Sequence, residues 1–445
     1  MIYEEVVSEI ENSRRFGKRA GVEITAGMLQ QLSHPEAGIP MIHIAGTNGK
    51  GSVSAFLCEI LKQAGLKVGC FTSPHLVDFR ERIRINGRMI RKEDVTRLGE
   101  KLLHTEFFVT DENGEKERTF PTMFDMCLAM ALLYYKEQAV DVMILETGLG
   151  GRLDSTNAVG TPEVSVITKI GYDHMAILGN TLPEIAAEKA GIIKCGTDLV
   201  VESQACGIAD VFAKKAKEVG AASCHIIDPL ELQECHYEAG CQHFDFGAYK
   251  DLKMQMLGTH QYENAAAAIL AAEAFLKRCP GGRNNLTETE ADIARAVRQG
   301  IYGTRWMGRM EILHRKPFFL VDGAHNSNGV EALRNSLMDL FPGEKFHFIM
   351  GVMADKDYEQ MVDLLLPLAI DFSTVTVESE RALQAEALAG YIRTCGVPAK
   401  RIEDLEAFLG DYFSMQDRQE KTIAFGSLYF IGEILAKCDR KVTDC

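Results

Sequence analysis

Pro40-Met41-Ile42-His43-Ile44-Ala45-Gly46-Thr47-Asn48-Gly49-Lys50-Gly51-Ser52 is a short apolar run that feeds a glycine-rich loop with one lysine, and a helical pattern follows from Ser52 to Ala64. Strand, glycine loop and helix in that order make a nucleotide phosphate cradle. Gly46, Gly49 and Gly51 let backbone N–H groups turn inward where a Cβ would clash, Lys50 sets a cation beside the β and γ phosphates, and the helix N-terminus adds a favourable dipole. The common pattern has a glycine five residues before Gly49 and a hydroxyl directly after the lysine. Here Ile44 and Gly51 stand in those places, with Ser52 one residue late. The alternative is a tight glycine turn that holds no ligand.

Composition narrows the field. A chain of 445 residues exceeds a usual single core, so two domains are expected. A formal charge of -15 repels a phosphate backbone over most of the surface, which argues against nucleic acid as a partner. The twelve cysteines are scattered without a C-x-x-C pair, and are expected to be reduced thiols, mostly small core residues. No apolar run approaches the roughly 18 residues needed to span a bilayer, and the N-terminus shows alternating charge rather than a targeting pattern. A soluble, cytoplasmic protein without membrane contact is expected.

Apolar runs ending in chemically active residues alternate with segments of helical period, the pattern of an α/β fold with a mostly parallel sheet. Val140–Leu145 reads as a strand whose end presents Glu146, then Gly148, Gly150 and Gly151. Val164–Thr168 is another, leading to Gly171, Asp173 and His174. Ligands of open α/β sheets sit outside the carboxyl ends of strands, so three strand ends are expected at one crevice. Further on, Gly258–Asn264 opens an alanine-rich helix from Ala265 to Leu276, and Cys279-Pro280-Gly281-Gly282-Arg283-Asn284-Asn285 reads as a turn. After Arg309 a second unit alternates strand and helix: Phe318 to Val321, Gly329 to Leu340, Phe346 to Met350, and a last pair around Phe425 to Ala436. The boundary is placed near residue 300.

A nucleoside triphosphate is handled as its magnesium complex, and magnesium takes oxygen ligands from one or two protein groups, phosphates and water. Glu146, at the tip of an apolar strand, is the first candidate; a solvated strand-end acid is the alternative. His174 is softer than magnesium prefers, and an ordinary hydrogen-bonded histidine is its alternative. Ser73, in Ser73-Pro74-His75-Leu76, offers a hydroxyl, although a Ser-Pro turn needs no function. Lys189 lies in an apolar and acidic helix, where most lysines are solvated; a buried one would need a depressed pKa or a covalent change of charge.

Seven segments occur in the order seen in folylpolyglutamate synthases and bifunctional dihydrofolate synthases, relatives of the Mur ligases. They are Gly46–Ser52, Thr72–Leu76, Glu146–Asp154, Asp173-His174, Glu188–Gly191, His260–Asn264 and Asp322–Asn326. The resemblance spans nearly the whole chain. It implies an ATP-dependent amide ligase that adds L-glutamate to the carboxylate of a reduced folate, and to dihydropteroate, through an acyl phosphate. It also implies an ATP-binding, Mur-ligase-like domain with a pterin or folate site over residues 1–300. A smaller Rossmann-like glutamate-ligase domain over 301–445 would follow. By the same resemblance Asn48, Gly49, Lys50, Gly51, Ser52, Asn264, Arg309 and Asp322 contact ATP, and Ser73, Glu146 and His174 hold two magnesium ions. Lys189 matches a lysine carried as a carbamate, and Lys50, Lys189 and His325 are assigned to the chemistry. Arg82, Phe124, Arg152, Asp154 and Ser427 correspond to substrate contacts. Relatives are typically monomers, so a monomer is expected.

Two features depart from the family pattern. Trp306-Met307-Gly308-Arg309 lacks the proline that usually precedes the glycine, and Asp125 replaces a glutamate beside Phe124 at a place associated with the pterin pocket, where its shorter reach is expected to alter substrate choice. Two other functions compete. A Mur-type ligase would need a preceding domain of about 100 residues for its uridine nucleotide, whereas the loop begins here at residue 46. An ATP-dependent switch that ligates nothing would not require Asp322 and His325 in a second domain.

Overall fold

The structure is a computed structural model that describes residues 1–13, 21–110, 114–279, 289–415 and 419–438. Met41–Ala45 lies near the centre of an eight-stranded sheet and is buried along its whole length. From one edge the order is Ser223–Ile226, Asp198–Val201, Val164–Ile167, Met41–Ala45, Val142–Glu146, Val68–Phe71, Ile83–Ile85 and Arg88–Met89. The first six run parallel, Ile83–Ile85 returns antiparallel, and Arg88–Met89 pairs antiparallel with it in turn. Because side chains alternate along a strand, Val142 and Ile144 feed one apolar cluster and Met143 and Leu145 the opposite one. Both faces are covered, which is why the central strands are apolar without a polar face.

Helices Lys50–Gln63 and His260–Arg278 pack side by side on the first face, and Met123–Glu137 covers the second. Small residues set how closely the first pair approaches. Ala265, Ala266, Ala267, Ala268, Ala271 and Ala272 are all buried on the long helix. Helix Glu290–Gly303 joins the same layer, where a Cβ on Gly300 would come within 2.6 Å of Ile60 Cα. This helix therefore runs past residue 300, and the chain crosses to the second unit through Thr304–Met310.

The second unit is a six-stranded sheet in the order Glu311–Arg315, Phe318–Val321, Lys421–Phe425, Phe346–Met350, Ala369–Thr374 and Ala399–Arg401, parallel except for its first strand. An antiparallel meander, Leu232–Glu238, Cys241–Phe246 and Tyr249–Met254, lies between the sheets in sequence and was not expected. Its first strand is exposed along most of its length and so lacks the apolar alternation that marks a strand. The expected turn at Pro280–Asn285 lies outside the described residues.

The cysteines correct one expectation. Among those described only Cys70 and Cys127 are buried, and Cys195, Cys206, Cys224 and Cys235 are exposed, because they sit on sheet-edge loops and strands rather than on inward faces. All described ones are free thiols. No helix among the described residues is long and apolar enough to cross a membrane.

Asp125 is also corrected. Its fully buried carboxylate accepts hydrogen bonds from Thr25 Oγ1 at 3.1 Å, Ser155 Oγ at 2.5 Å, and Thr122 N and Oγ1 at 2.7 Å each. It caps helix Met123–Glu137 and ties it to two other segments, with no lone pair left to meet a substrate. We predict that Asp125→Ala lowers unfolding stability by about 3 kcal/mol, since it strands several buried donors. A denaturant midpoint unchanged from the parent would refute this role.

Candidate active site

The loop after Met41–Ala45 is squeezed between three neighbours. A Cβ on Gly46 would lie 1.7 Å from Thr168 Oγ1, so the position has no room for a side chain. Gly49, the residue before helix Lys50–Gln63, has φ +93°, a left-handed conformation that glycine adopts without strain, and Asn264 Oδ1 sits directly over it. Gly51 faces Trp306, whose Nε1 would be 2.8 Å from an added Cβ. That contact accounts for the missing hydroxyl after the lysine: the linker tryptophan occupies its space. Trp306 is held in turn by Arg84, whose guanidinium lies 4.9 Å from the ring centroid.

Two lysines converge on this loop. Lys50 Nζ donates to Gly46 O at 3.1 Å and Thr47 O at 3.3 Å, and Lys189 Nζ donates to the same Gly46 O at 2.8 Å. Lys189 is buried, at 4% exposure, rather than solvated as lysines of such helices usually are. It ends helix Leu182–Lys189. Burial foremost, with the Lys50 ammonium nearby, pushes the Lys189 amine down to about 7.

Glu146 ends its strand beside the loop and is buried. Its Oε2 accepts the Ser73 N–H at 3.3 Å, and burial raises its pKa against the opposing pull of Lys50. The Glu146 carboxylate and Ser73 hydroxyl are hard oxygen donors of the type magnesium takes. Among the described residues no three His, Cys, Asp or Glu side chains cluster into a ready-made metal site. A cation here would complete its shell with phosphate oxygens and water, as magnesium does with nucleotides. His174 lies on the cleft wall in a left-handed conformation, φ 51°, with its side chain half exposed. Partial burial lowers its pKa, so the ring is neutral and able to ligate at neutral pH.

The second unit closes the cleft. Asp322 ends its strand, with Oδ2 accepting Met310 N–H and Oδ1 accepting Ala324 N–H at 2.8 and 2.9 Å, so it ties the linker to the Gly323–Asn326 loop. His325 Nδ1 bonds Gly323 O at 2.8 Å, which turns Nε2 toward Asp173 Oδ2 at 3.7 Å. Asn326 exchanges amide hydrogen bonds with Asn48 of the phosphate loop, at 3.2 and 3.3 Å, while capping helix Ser327–Leu340. Lys356 Nζ reaches Asp173 Oδ1 at 2.6 Å. Burial would raise the Asp173 carboxyl, but His325 and Lys356 hold it far below the usual carboxylate range.

Asn48, Gly49, Lys50, Gly51, Ser52, Ser73, Glu146, His174, Lys189, Asn264, Arg309, Asp322 and His325 all line one cleft between the two units. Arg82, Phe124, Arg152, Asp154 and Ser427 do not. Arg82 is buried and donates from Nε to His75 at 2.9 Å; Phe124 packs edge-on against Phe71; Arg152 is exposed and paired with Glu188 at 2.9 Å. Asp154 accepts from Leu149 N and from Thr156 N and Oγ1, and Ser427 caps the last helix, Leu428–Lys437. Asn326, Lys356 and the carboxylate of Asp173 were not singled out individually. Only the Asp-His pair and the Asp-Gly-Ala-His-Asn segment pointed near them, and Lys356 has no local signal.

Two family models match the chain: the Mur ligase middle domain over residues 44–272 and the Mur ligase, glutamate ligase domain over residues 308–427. A dihydrofolate synthase/folylpolyglutamate synthase of Bacillus subtilis is 36% identical over 439 residues, covering 97% of this chain and 98% of the relative. A Mycobacterium tuberculosis folylpolyglutamate synthase solved with ADP superposes with a TM-score of 0.85 at 27% identity, over 99% of this chain and 98% of that one. A structure described as an FPGS–AMPPCP–folate complex has a TM-score of 0.78 at 30% identity, over 98% and 99% of the two chains. Both domains match, and relatives align over nearly the full length of the chain, so the chain belongs to the folylpolyglutamate synthase/dihydrofolate synthase family of the Mur ligase superfamily.

Proposed function

We propose that the protein is an ATP-dependent ligase that adds L-glutamate to the carboxylate of a reduced folate and also to dihydropteroate. The observation that carries this reading is the single cleft in which the phosphate loop and Glu146 of one unit face His325 of the other. Support for the substrates comes from relatives named as both synthases and from a solved complex with a nucleotide analogue and folate.

A carboxylate is a poor electrophile because its oxygen does not leave. Its attack on the γ-phosphorus of ATP expels ADP and makes an acyl phosphate. The glutamate amine then attacks the acyl carbon, loses a proton, and inorganic phosphate departs. The protein's task is to position and neutralise charge. Lys50 leaves its carbonyl partners on Gly46 and Thr47 for the phosphates, and His325 is assigned to the reacting carboxylate. Ser73, Glu146 and His174 would hold two magnesium ions, which when bound offset phosphate charge. Arg82, Phe124, Arg152, Asp154 and Ser427 remain our proposed substrate contacts, brought in by movement of the units or by loops beyond the present cleft. We assign a monomer and a cytoplasmic location.

We also assign a carbamate to Lys189. An amine held near 7 is half neutral at physiological pH, and the neutral nitrogen attacks carbon dioxide, forming an N–C bond and releasing a proton. The negative product would replace one of two ammonium groups crowded on Gly46 O.

Purified protein incubated with ATP, glutamate and either dihydropteroate or a tetrahydrofolate should release phosphate in step with amide formation. Hydrolysis without amide product would leave a non-ligating switch as the better reading. Lys50→Ala and Glu146→Ala should each lower kcat by about a thousandfold, and near-parental turnover in either would contradict the assigned site. His325→Ala should reduce kcat while leaving ATP affinity within about threefold; equal losses would move His325 into the nucleotide pocket. With labelled bicarbonate, a carbamate carbon resonance should grow between about pH 6 and 8, following the depressed Lys189 amine rather than an ordinary lysine near 10. Its persistence in Lys189→Ala would refute the assignment.

A further inference from the structure

Of the buried side-chain atoms without a partner among the described residues, only Glu202 Oε1 and His260 Nδ1 belong to residues that line the cleft. Glu202 follows strand Asp198–Val201 and is 2% exposed. Its Oε2 accepts the Lys169 N–H at 2.8 Å, and Oε1 accepts nothing. Orphaned buried acceptors are uncommon because they have lost water without replacement, and one on a binding cleft points to a ligand donor.

The surroundings narrow the ligand. Lys169, the nearby cation, is engaged elsewhere, with Nζ on Ser203 Oγ at 2.9 Å and Glu263 Oε2 at 3.3 Å. Glu263 also accepts from Ser203 at 2.6 Å. Burial first, then the Glu263 charge, push the Glu202 carboxyl up to about 8, and a donor arriving at Oε1 favours its ionised, accepting form. Asn264, in the same cleft, gives its Nδ2 to Gln261 Oε1 at 2.9 Å, which leaves Oδ1 over Gly49. Glu202 Oε1 and Asn264 Oδ1 are thus acceptors on the cleft beyond the phosphate loop. A purine with a 6-amino group brings a donor to such a wall, whereas a 6-oxo purine brings a second acceptor and is repelled.

We propose that Glu202 selects adenine over 6-oxo purines by accepting a hydrogen bond from the 6-amino group at Oε1. The inference rests on the ATP-ligase reading and deepens it, because it assigns base specificity to a residue at the end of a neighbouring strand. The backbone supplies a sharp test. In Glu202→Gln the oxygen that faces Lys169 N–H must remain an acceptor, so the new amide turns its NH₂ group to the cleft and replaces an acceptor by a donor.

The experiment measures ADP and IDP binding by calorimetry, and kcat/KM for ATP and ITP in amide formation, for the parent and for Glu202→Gln and Glu202→Leu. The parent should favour the 6-amino nucleotide. Glu202→Gln should lower the ATP/ITP ratio at least about 100-fold with a gain for ITP, and Glu202→Leu should lower it chiefly by weakening ATP. Thermal midpoints identify any variant that fails to fold, in which case the parent's ADP/IDP ratio alone decides: equal affinities overturn the proposal. An unchanged ratio in folded Glu202→Gln also overturns it, in favour of a protonated Glu202 that donates to a ring nitrogen, since the amide would donate there too. Parent protein that discriminates ADP from IDP but forms no amide would refute the ligase reading and leave base selection standing.

Discussion

Two lysine amines, from Lys50 and Lys189, share one backbone oxygen, that of Gly46, at a position with no room for a side chain. Like charges this close repel strongly where water is scarce. A neutral Lys189 relieves the arrangement, as would the carbamate we propose there or a phosphate drawing Lys50 away. The loop that carries Gly46 cannot yield, because Thr168, Asn264 and Trp306 press on it from three sides. An anion-binding site is thus built from backbone that has no alternative position and side chains that have one.

Asp173 is the second fixed point. It gathers His325, Lys356 and Asn326, all from the second unit, while Asn326 also pairs with Asn48 on the phosphate loop. Gly171 belongs to the same contact, since an added Cβ would lie 2.4 Å from Asn328 Oδ1. The units therefore meet through polar groups beside the glycine-rich loop. Trp306 against Gly51 adds the linker to this contact.

The two parallel sheets were legible because the runs at 41–45, 142–146, 164–167 and 346–350 are largely apolar, and buried parallel strands need that character. The meander at 232–254 was not, since its leading strand is solvated and the pattern that would mark it is absent. Among candidate site residues, those of the Gly46–Ser52 loop converge on the cleft with Ser73, Glu146, His174, Lys189, Asn264, Arg309, Asp322 and His325. Asp125 looks chemical in sequence, yet its carboxylate is saturated by Thr25, Thr122 and Ser155. Residue type cannot tell a carboxylate that meets a ligand from one that caps its own loop.

Motif spacing along the chain was enough to determine the α/β class, the strand–glycine loop–helix unit around Gly46–Ser52 and the family, because backbone turns and strand ends are local and demand particular residues. Tertiary structure alone decided that Lys189 is buried with its amine held near 7, that Lys356 reaches Asp173, and that Glu202 is left with an unpaired oxygen on the cleft. Those properties depend on which distant segments exclude water from a side chain and which donors reach it, and neither is encoded at any single position.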